Sequence, residues 1–136
     1  MDDKIFRISK DMARAKDLLD ISIERLDIIK ILPKDKTYKI LEEYYEIFLG
    51  LITAIMYSEG YKTLSHVSAI DYISNNCKSI SKNQIRIIDS VRKLRHGIVY
   101  YGKKIKEEYL INNEDKINEI INILIKYVKE RICKNK

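Results

Sequence analysis

Four side chains between Arg92 and Tyr100 have the chemistry of a phosphate-binding site. Arg92, His96 and Tyr100 recur every four residues, which places them along one face of an α-helix, and Arg95 lies between that face and an apolar stripe. A guanidinium group can hold a phosphate through two parallel hydrogen bonds, and an imidazole adds charge when it is protonated. A phenol can hydrogen-bond to phosphate or stack on a base. The segment therefore predicts a binding site for RNA or for nucleotide phosphates.

The positive charge of the chain is concentrated around the same segment. Residues 78–106 contain nine Lys or Arg residues and one acid, Asp89, and so carry +8, whereas the whole chain carries +6. Lys93, Lys103 and Lys104 belong to this group and attract anions without the fixed geometry of arginine. From charge alone, a solvated helix face in a non-catalytic scaffold is an equally good interpretation.

Two of the side chains in question also have ordinary structural explanations. Arg95 can be held by Asp89 or Glu46 in an ion pair that belongs to the fold. His66 is expected to be half-buried and bonded to a nearby backbone group, with a role in a site as the alternative.

The sequence contains no pattern typical of a metal site, a cofactor site or a membrane span. His66 and His96 are the only histidines and lie far apart in sequence, and Cys77 and Cys133 lack the spacing of metal ligands. We therefore expect no metal and no cofactor. No run of 18 apolar residues and no apolar N-terminal signal region occurs, which favours a cytoplasmic protein without membrane segments.

Helical spacing of apolar residues recurs along the whole chain and predicts an all-α fold. We expect one domain over residues 1–136, built as a five-helix up-and-down antiparallel bundle. The predicted helices cover residues 3–32, 36–58, 64–76, about 81–102 and from 113 onwards, with a connector at 106–113. Pro33 ends the first helix, Gly60 caps the second, and a Ser81–Gln84 capping box starts the fourth.

Two of these helices have apolar stripes that bear on assembly and on the site. The fourth helix carries the stripe Ile87, Val91, Leu94, Ile98, Tyr101 and Ile105. The pattern predicts that Leu94 and Ile98 are buried together with Leu51 of the second helix. The second helix has two adjacent stripes, so it is either central or covered by a second subunit, and we expect a homodimer.

Three features in order along the chain resemble the HEPN family, the higher-eukaryote-and-prokaryote nucleotide-binding helical domains. The first is an aromatic-rich helix that ends in Gly60-Tyr61-Lys62, the second is His66, and the third is the Leu94-Arg95-His96 step of a late helix. The resemblance spans about residues 8 to 130 and implies a helical bundle that acts on or binds RNA or nucleotides.

The resemblance also bears on activity and partners. Active relatives use an Arg and a His, with four to six residues between them along the helix, to cleave RNA without metal. Arg95 matches the Arg and His96 its polar neighbour, but Tyr100 stands where the His is expected. Arg95, His96 and Tyr100 are the candidate catalytic residues of a metal-independent endoribonuclease, but a phenol with a pKa near 10 is a poor base at neutral pH, which favours binding over cleavage. Some relatives form toxin–antitoxin pairs, so a separate nucleotidyltransferase is an implied partner.

Overall fold

A computed structural model describes residues 2–134 of the chain, which form five helices and two short strands in that range. The elements are β1 (Ile5–Arg7), α1 (Met12–Ile31), α2 (Thr37–Glu59), β2 (Tyr61–Thr63), α3 (His66–Asn76), α4 (Lys82–Tyr101) and α5 (Glu107–Lys134). The expected mostly helical architecture is confirmed, with the small two-stranded sheet as an addition.

Helix α2 is the centre of the fold and packs against each of the other four helices. Both of its predicted apolar stripes are buried by the chain itself: Ile40, Leu41, Tyr44, Tyr45, Ile47, Phe48, Leu51, Ile52, Ala54 and Ile55. Full burial of a large apolar side chain contributes about 1.5–3 kcal/mol, so α2 is the main source of core stability. The two stripes therefore do not require a second subunit to cover them.

The four long helices alternate in direction. Arg25 near the end of α1 bonds Glu43 near the start of α2 at 2.9 Å, so these helices are antiparallel. The Thr37 hydroxyl donates to the carbonyl of Ile105, just after α4, at 2.7 Å, which brings the end of α4 to the start of α2. Since α4 returns along α2, residues of the two helices meet in reverse order.

The prediction that the first helix begins near Asp3 is wrong. Residues Ile5–Arg7 form β1, which pairs antiparallel with β2, and α1 begins only at Met12, with the Asp11 side chain capping the amide of Arg14. Ile5, Ile8 and Met12 have helical spacing, but the backbone groups of residues 5–7 are satisfied by a partner strand more than 50 residues away. Local periodicity gives no information about such a partner.

The predicted connector at 106–113 is also wrong, because α5 begins at Glu107. Glu107 and Glu108 in the first turn favour a helix N-terminus through the macrodipole. Leu110 is buried and Tyr109 packs against the core, so this first turn is held by apolar contacts.

The predicted stripe of the fourth helix holds only at its centre. Val91 is fully buried, Leu94 and Ile98 are half-buried rather than buried, and Tyr101 is exposed. The helix ends at Tyr101 because Gly102 adopts a left-handed conformation with φ +60°, so the chain reverses there. In this last turn Ile98 packs against the core, whereas Val99, Tyr100 and Tyr101 are exposed to solvent.

Candidate functional site

Arg95 lies on the side of α4 that faces α2, where it contacts two consecutive residues. Its Cζ atom is 5.5 Å from the centroid of the Tyr45 ring, and its Nη2 atom is 3.6 Å from Oε1 of Glu46. The Arg95 and Glu46 side chains are 26% and 36% exposed. Half-exposed ion pairs at this distance contribute little to stability, and a carboxylate at one nitrogen leaves other guanidinium donors for a ligand.

His66 is brought to the same place by the turn between β2 and α3. The Thr63 hydroxyl donates to the carbonyl of Lys4 and accepts from the amide of Ser65, and Ser65 caps α3. His66 is the first residue of that helix. Its Nδ1 atom is 2.9 Å from the Tyr45 hydroxyl, and the two ring centroids are 5.7 Å apart.

Tyr45, Glu46, His66 and Arg95 form a group that we call the Arg95 cluster. Burial raises the pKa of Tyr45 to about 12, so its hydroxyl remains protonated at neutral pH. Packing of its ring against Tyr45 partly shields His66 from water, and this, followed by the positive charge of Arg95, lowers the pKa of the otherwise exposed imidazole below its ordinary value. At neutral pH the imidazole is therefore uncharged, and Arg95 supplies the positive charge of the cluster.

Arg92 and Lys93 share a single carboxylate on their own helix. Arg92 Nε donates to Asp89 at 2.8 Å, and Lys93 Nζ is 3.4 Å from the other oxygen of that group. Burial opposes ionisation of Asp89, but the hydrogen bond and charge of Arg92 outweigh it and hold the pKa of Asp89 below its ordinary value. One of the two positive charges is therefore neutralised within the fold.

Aromatic side chains cluster at the end of α4. The His96 ring centroid is 4.5 Å from that of Tyr100 and 6.0 Å from that of Tyr101. His96 is exposed, and Tyr100 and Tyr101 are 65% and 71% exposed. Aromatic faces open to solvent beside basic residues are suited to stacking on unpaired nucleic-acid bases.

A groove of about 860 Å³ lies between the start of α2 and the end of α4. Its lining residues include Lys36, Tyr38, Glu42, Val99, Lys103 and Lys104. Glu42 is one helical turn before Glu46, and Val99 is one turn after Arg95, so the groove begins about one turn away from the Arg95 cluster. The amide of Lys103 donates to the carbonyl of Gly97 at 3.2 Å, which ties this end of the groove to α4.

The residues singled out from the sequence all lie on α4 or in the segment just after it, and we call this set the α4 basic face. It comprises Arg92, Lys93, Arg95, His96, Tyr100, Lys103 and Lys104. His96 contacts Tyr100 as their four-residue spacing predicts, but Arg92 is turned to Asp89 rather than to His96. Arg95 pairs with Glu46, one of the two acids that its structural explanation named.

The sequence did not identify Tyr45 as a site residue, and it offered a site role for His66 only as the alternative to a structural one. Tyr45 belongs to an apolar stripe and is 1% exposed, so its pattern indicates only the core. His66 is bonded to a side chain rather than to the expected backbone group, and it is exposed rather than half-buried. A buried tyrosine needs a partner for its hydroxyl, which is a signal that such a residue contacts another polar group, but it does not identify His66.

Within residues 2–134, no group of three or more His, Cys, Asp or Glu side chains is arranged to hold a metal ion. In the same range, no helix combines the length and apolar character that a membrane crossing requires. No known family model matches the chain, and no curated protein matches it either.

Proposed function

We propose that the chain is a HEPN-like helical module that binds single-stranded RNA through the α4 basic face. The observation that carries this proposal is that the Arg95 cluster and a groove with two lysines lie next to each other along the α2–α4 interface. The Arg95 cluster and the groove lined by Lys103 and Lys104 are about one helical turn apart, and the exposed rings of His96, Tyr100 and Tyr101 lie on α4 nearby. Phosphates along the groove and bases on the rings are the two contacts that single-stranded nucleic acid offers to a protein.

The charge along this surface is unequal. Arg92 and Lys93 share Asp89, and Arg95 is paired with Glu46. Lys103 and Lys104 have no ion-pair partner among residues 2–134. Lys103 and Lys104 therefore supply most of the long-range attraction for a polyanion, whereas Arg95 supplies the directed hydrogen bonds.

The proposal includes a homodimer and a cytoplasmic location, where RNA is abundant. Since the stripes of α2 are buried, we assign the assembly surface to α1, one of the elements with exposed apolar side chains. Ile21, Ile28 and Ile31 of that helix are exposed in the single chain. Burying them against a second copy removes apolar side chains from water, the main driving force of association.

A metal-independent ribonuclease is the second candidate function. Its support is that a histidine and an arginine, His66 and Arg95, both lie against the ring of Tyr45. The two groups come from different helices, α3 and α4, so this pair is distinct from the Arg95, His96 and Tyr100 combination on α4 alone. Cleavage requires one of these groups to accept a proton.

Binding of a fluorescein-labelled single-stranded RNA tests the proposed function. Arg95→Ala is expected to weaken binding by about tenfold or more, because a charge-assisted hydrogen bond contributes about 1.5–3 kcal/mol. Lys129→Ala, an exposed lysine of α5, is the matched control and should leave the affinity unchanged. Affinities that are equal for the wild type, Arg95→Ala and Lys129→Ala, all folded by circular dichroism, would reject the proposal.

A further inference from the structure

The hydrogen bond between Tyr45 and His66 fixes which ring nitrogen carries the proton. Tyr45 is 1% exposed, and among residues 2–134 its hydroxyl has Nδ1 of His66 as its only hydrogen-bonding partner. If Nδ1 carried a proton and donated to the phenolic oxygen, the hydroxyl proton of Tyr45 would have no acceptor. An unsatisfied buried donor costs about 1–3 kcal/mol, so the hydroxyl donates and Nδ1 accepts.

The proton of the neutral imidazole is therefore on Nε2. No atom of the described chain forms a hydrogen bond to Nε2, and the His66 side chain is exposed. An Nε2–H group directed away from Tyr45 is a hydrogen-bond donor available to a ligand, and it has no lone pair with which to accept a proton. In this tautomer Nε2 of His66 can donate a hydrogen bond but cannot accept a proton, so it cannot act as a general base.

The charged groups around His66 favour the same neutral state. Arg95 and Arg92 of α4 both disfavour a second positive charge, whereas Glu46 of α2 acts in the opposite direction with a smaller effect than Arg95. Protonation of Nδ1 would in addition break the hydrogen bond from Tyr45. The cluster therefore presents a neutral donor, His66, and a cationic donor, Arg95, which both contact the ring of Tyr45.

We propose that His66 binds a phosphate oxygen of the RNA through Nε2–H, as a neutral donor beside Arg95, and takes no part in proton transfer. This inference rests on the proposed RNA-binding function. It adds a binding residue from α3 to the α4 basic face and assigns the Arg95 cluster to an oxyanion. In this role His66 binds the RNA at the Arg95 cluster and does not cleave it.

The tautomer is measured directly by long-range ¹H–¹⁵N NMR of the imidazole in the free protein. The spectrum should show a protonated Nε2 and an unprotonated Nδ1 at pH 7.5. Tyr45→Phe removes the donor to Nδ1 and should weaken this preference. A wild-type spectrum with the proton on Nδ1 would overturn the inference whether or not RNA binds.

Replacing His66 by glutamine and by asparagine tests whether its Nε2–H group donates a hydrogen bond to RNA. Glutamine brings its amide nitrogen near the position of the imidazole Nε2, whereas asparagine is too short to do so. His66→Gln should bind single-stranded oligo-uridine within about twofold of the wild type, and His66→Asn at least about tenfold more weakly, as expected for one hydrogen bond to a charged group. Wild-type affinity should also change little between pH 6.5 and 8.

The outcomes separate this inference from the proposed function. If the wild type binds no RNA, the proposed function fails, and with it the role of His66 as a ligand. If the wild type binds and His66→Asn binds equally well, the inference alone is wrong. Cleavage of the RNA that rises with pH and is lost in His66→Asn would show that the imidazole accepts a proton, which also contradicts it.

Discussion

The hydroxyl of Tyr45 lies 2.9 Å from Nδ1 of His66, and the guanidinium carbon of Arg95 lies 5.5 Å from the centroid of the same Tyr45 ring. Tyr45 belongs to the core by burial and to the candidate site by its contacts. One buried side chain thus orients two polar groups from two other helices. A conservative substitution of Tyr45 should therefore alter the site while the domain remains folded.

Tyr45→Phe should raise the pKa of His66 towards the ordinary value of about 6.5. The hydroxyl stabilises the neutral imidazole, so its removal makes protonation easier, although burial and the Arg95 charge remain. The substitution should also cost about 0.5–1.5 kcal/mol of stability for the lost hydrogen bond. An NMR titration of the His66 ring protons measures the pKa, and a value that stays the same or falls would contradict this account.

The lowered pKa of His66 has a defined effect on stability. Between the pKa of the folded protein and that of the unfolded chain, the unfolded chain binds more protons, so this group's contribution makes the native state less stable as the pH falls. The slope of unfolding free energy against pH near 6 should be shallower in Tyr45→Phe than in the wild type. Urea titrations at pH 7.5 and 6 measure it, and a steeper slope in the variant would be inconsistent with the sign of the shift.

Leu51→Ala should destabilise the protein more than Leu94→Ala. Leu51 is fully buried at the centre of α2, and removal of a buried leucine side chain costs about 2–5 kcal/mol. Leu94 is half-buried, so its removal leaves a smaller cavity. Urea denaturation of both variants compares the costs, and an equal or larger loss for Leu94→Ala would show that α4 packs more deeply than described.

Two glycines in helices should respond differently to alanine. A Cβ atom at Gly50 would lie 2.8 Å from the Ser22 hydroxyl oxygen on α1, where the helices are in contact. Gly50→Ala should therefore cost about 1–3 kcal/mol, and adding Ser22→Ala should recover part of it. A Cβ atom at Gly97 meets only the flexible Lys103 side chain at 3.1 Å, so Gly97→Ala should be neutral or stabilise by up to about 1 kcal/mol. Thermal melts of the three variants check the order.

The proposed homodimer should be present at tens of micromolar, which corresponds to an association free energy of about −6 to −7 kcal/mol. Ile28→Glu should dissociate it, because the substitution introduces charge into the apolar surface of α1. Ile111→Glu changes an exposed isoleucine of α5 and serves as the control. Sedimentation velocity distinguishes the states, and a wild-type monomer at these concentrations would exclude the dimer.

Features with a local cause were predictable from the sequence. The capping box of Ser81 and Gln84 and the left-handed cap at Gly60 form as expected, and the fourth helix ends before Gly102, since each depends on residues a few positions apart. The pairing of β1 with β2 and the contact of Tyr45 with His66 depend on residues distant in sequence. Periodicity carries no information about such partners. The sequence therefore predicts too long a first helix, and it does not group Tyr45 with Arg95 and His66.

The salt dependence of RNA binding tests the central claim most directly. Each phosphate contact of a lysine with a single strand contributes about −0.7 to the slope of log affinity against log salt concentration. The Lys103→Ala/Lys104→Ala double variant should therefore bind more weakly, with a slope smaller in magnitude by about 1.4 than that of the wild type. The matched Lys126→Ala/Lys129→Ala double variant of α5 should keep the wild-type slope. A slope that the Lys103→Ala/Lys104→Ala variant leaves unchanged, with the protein folded, would contradict RNA binding by the α4 basic face.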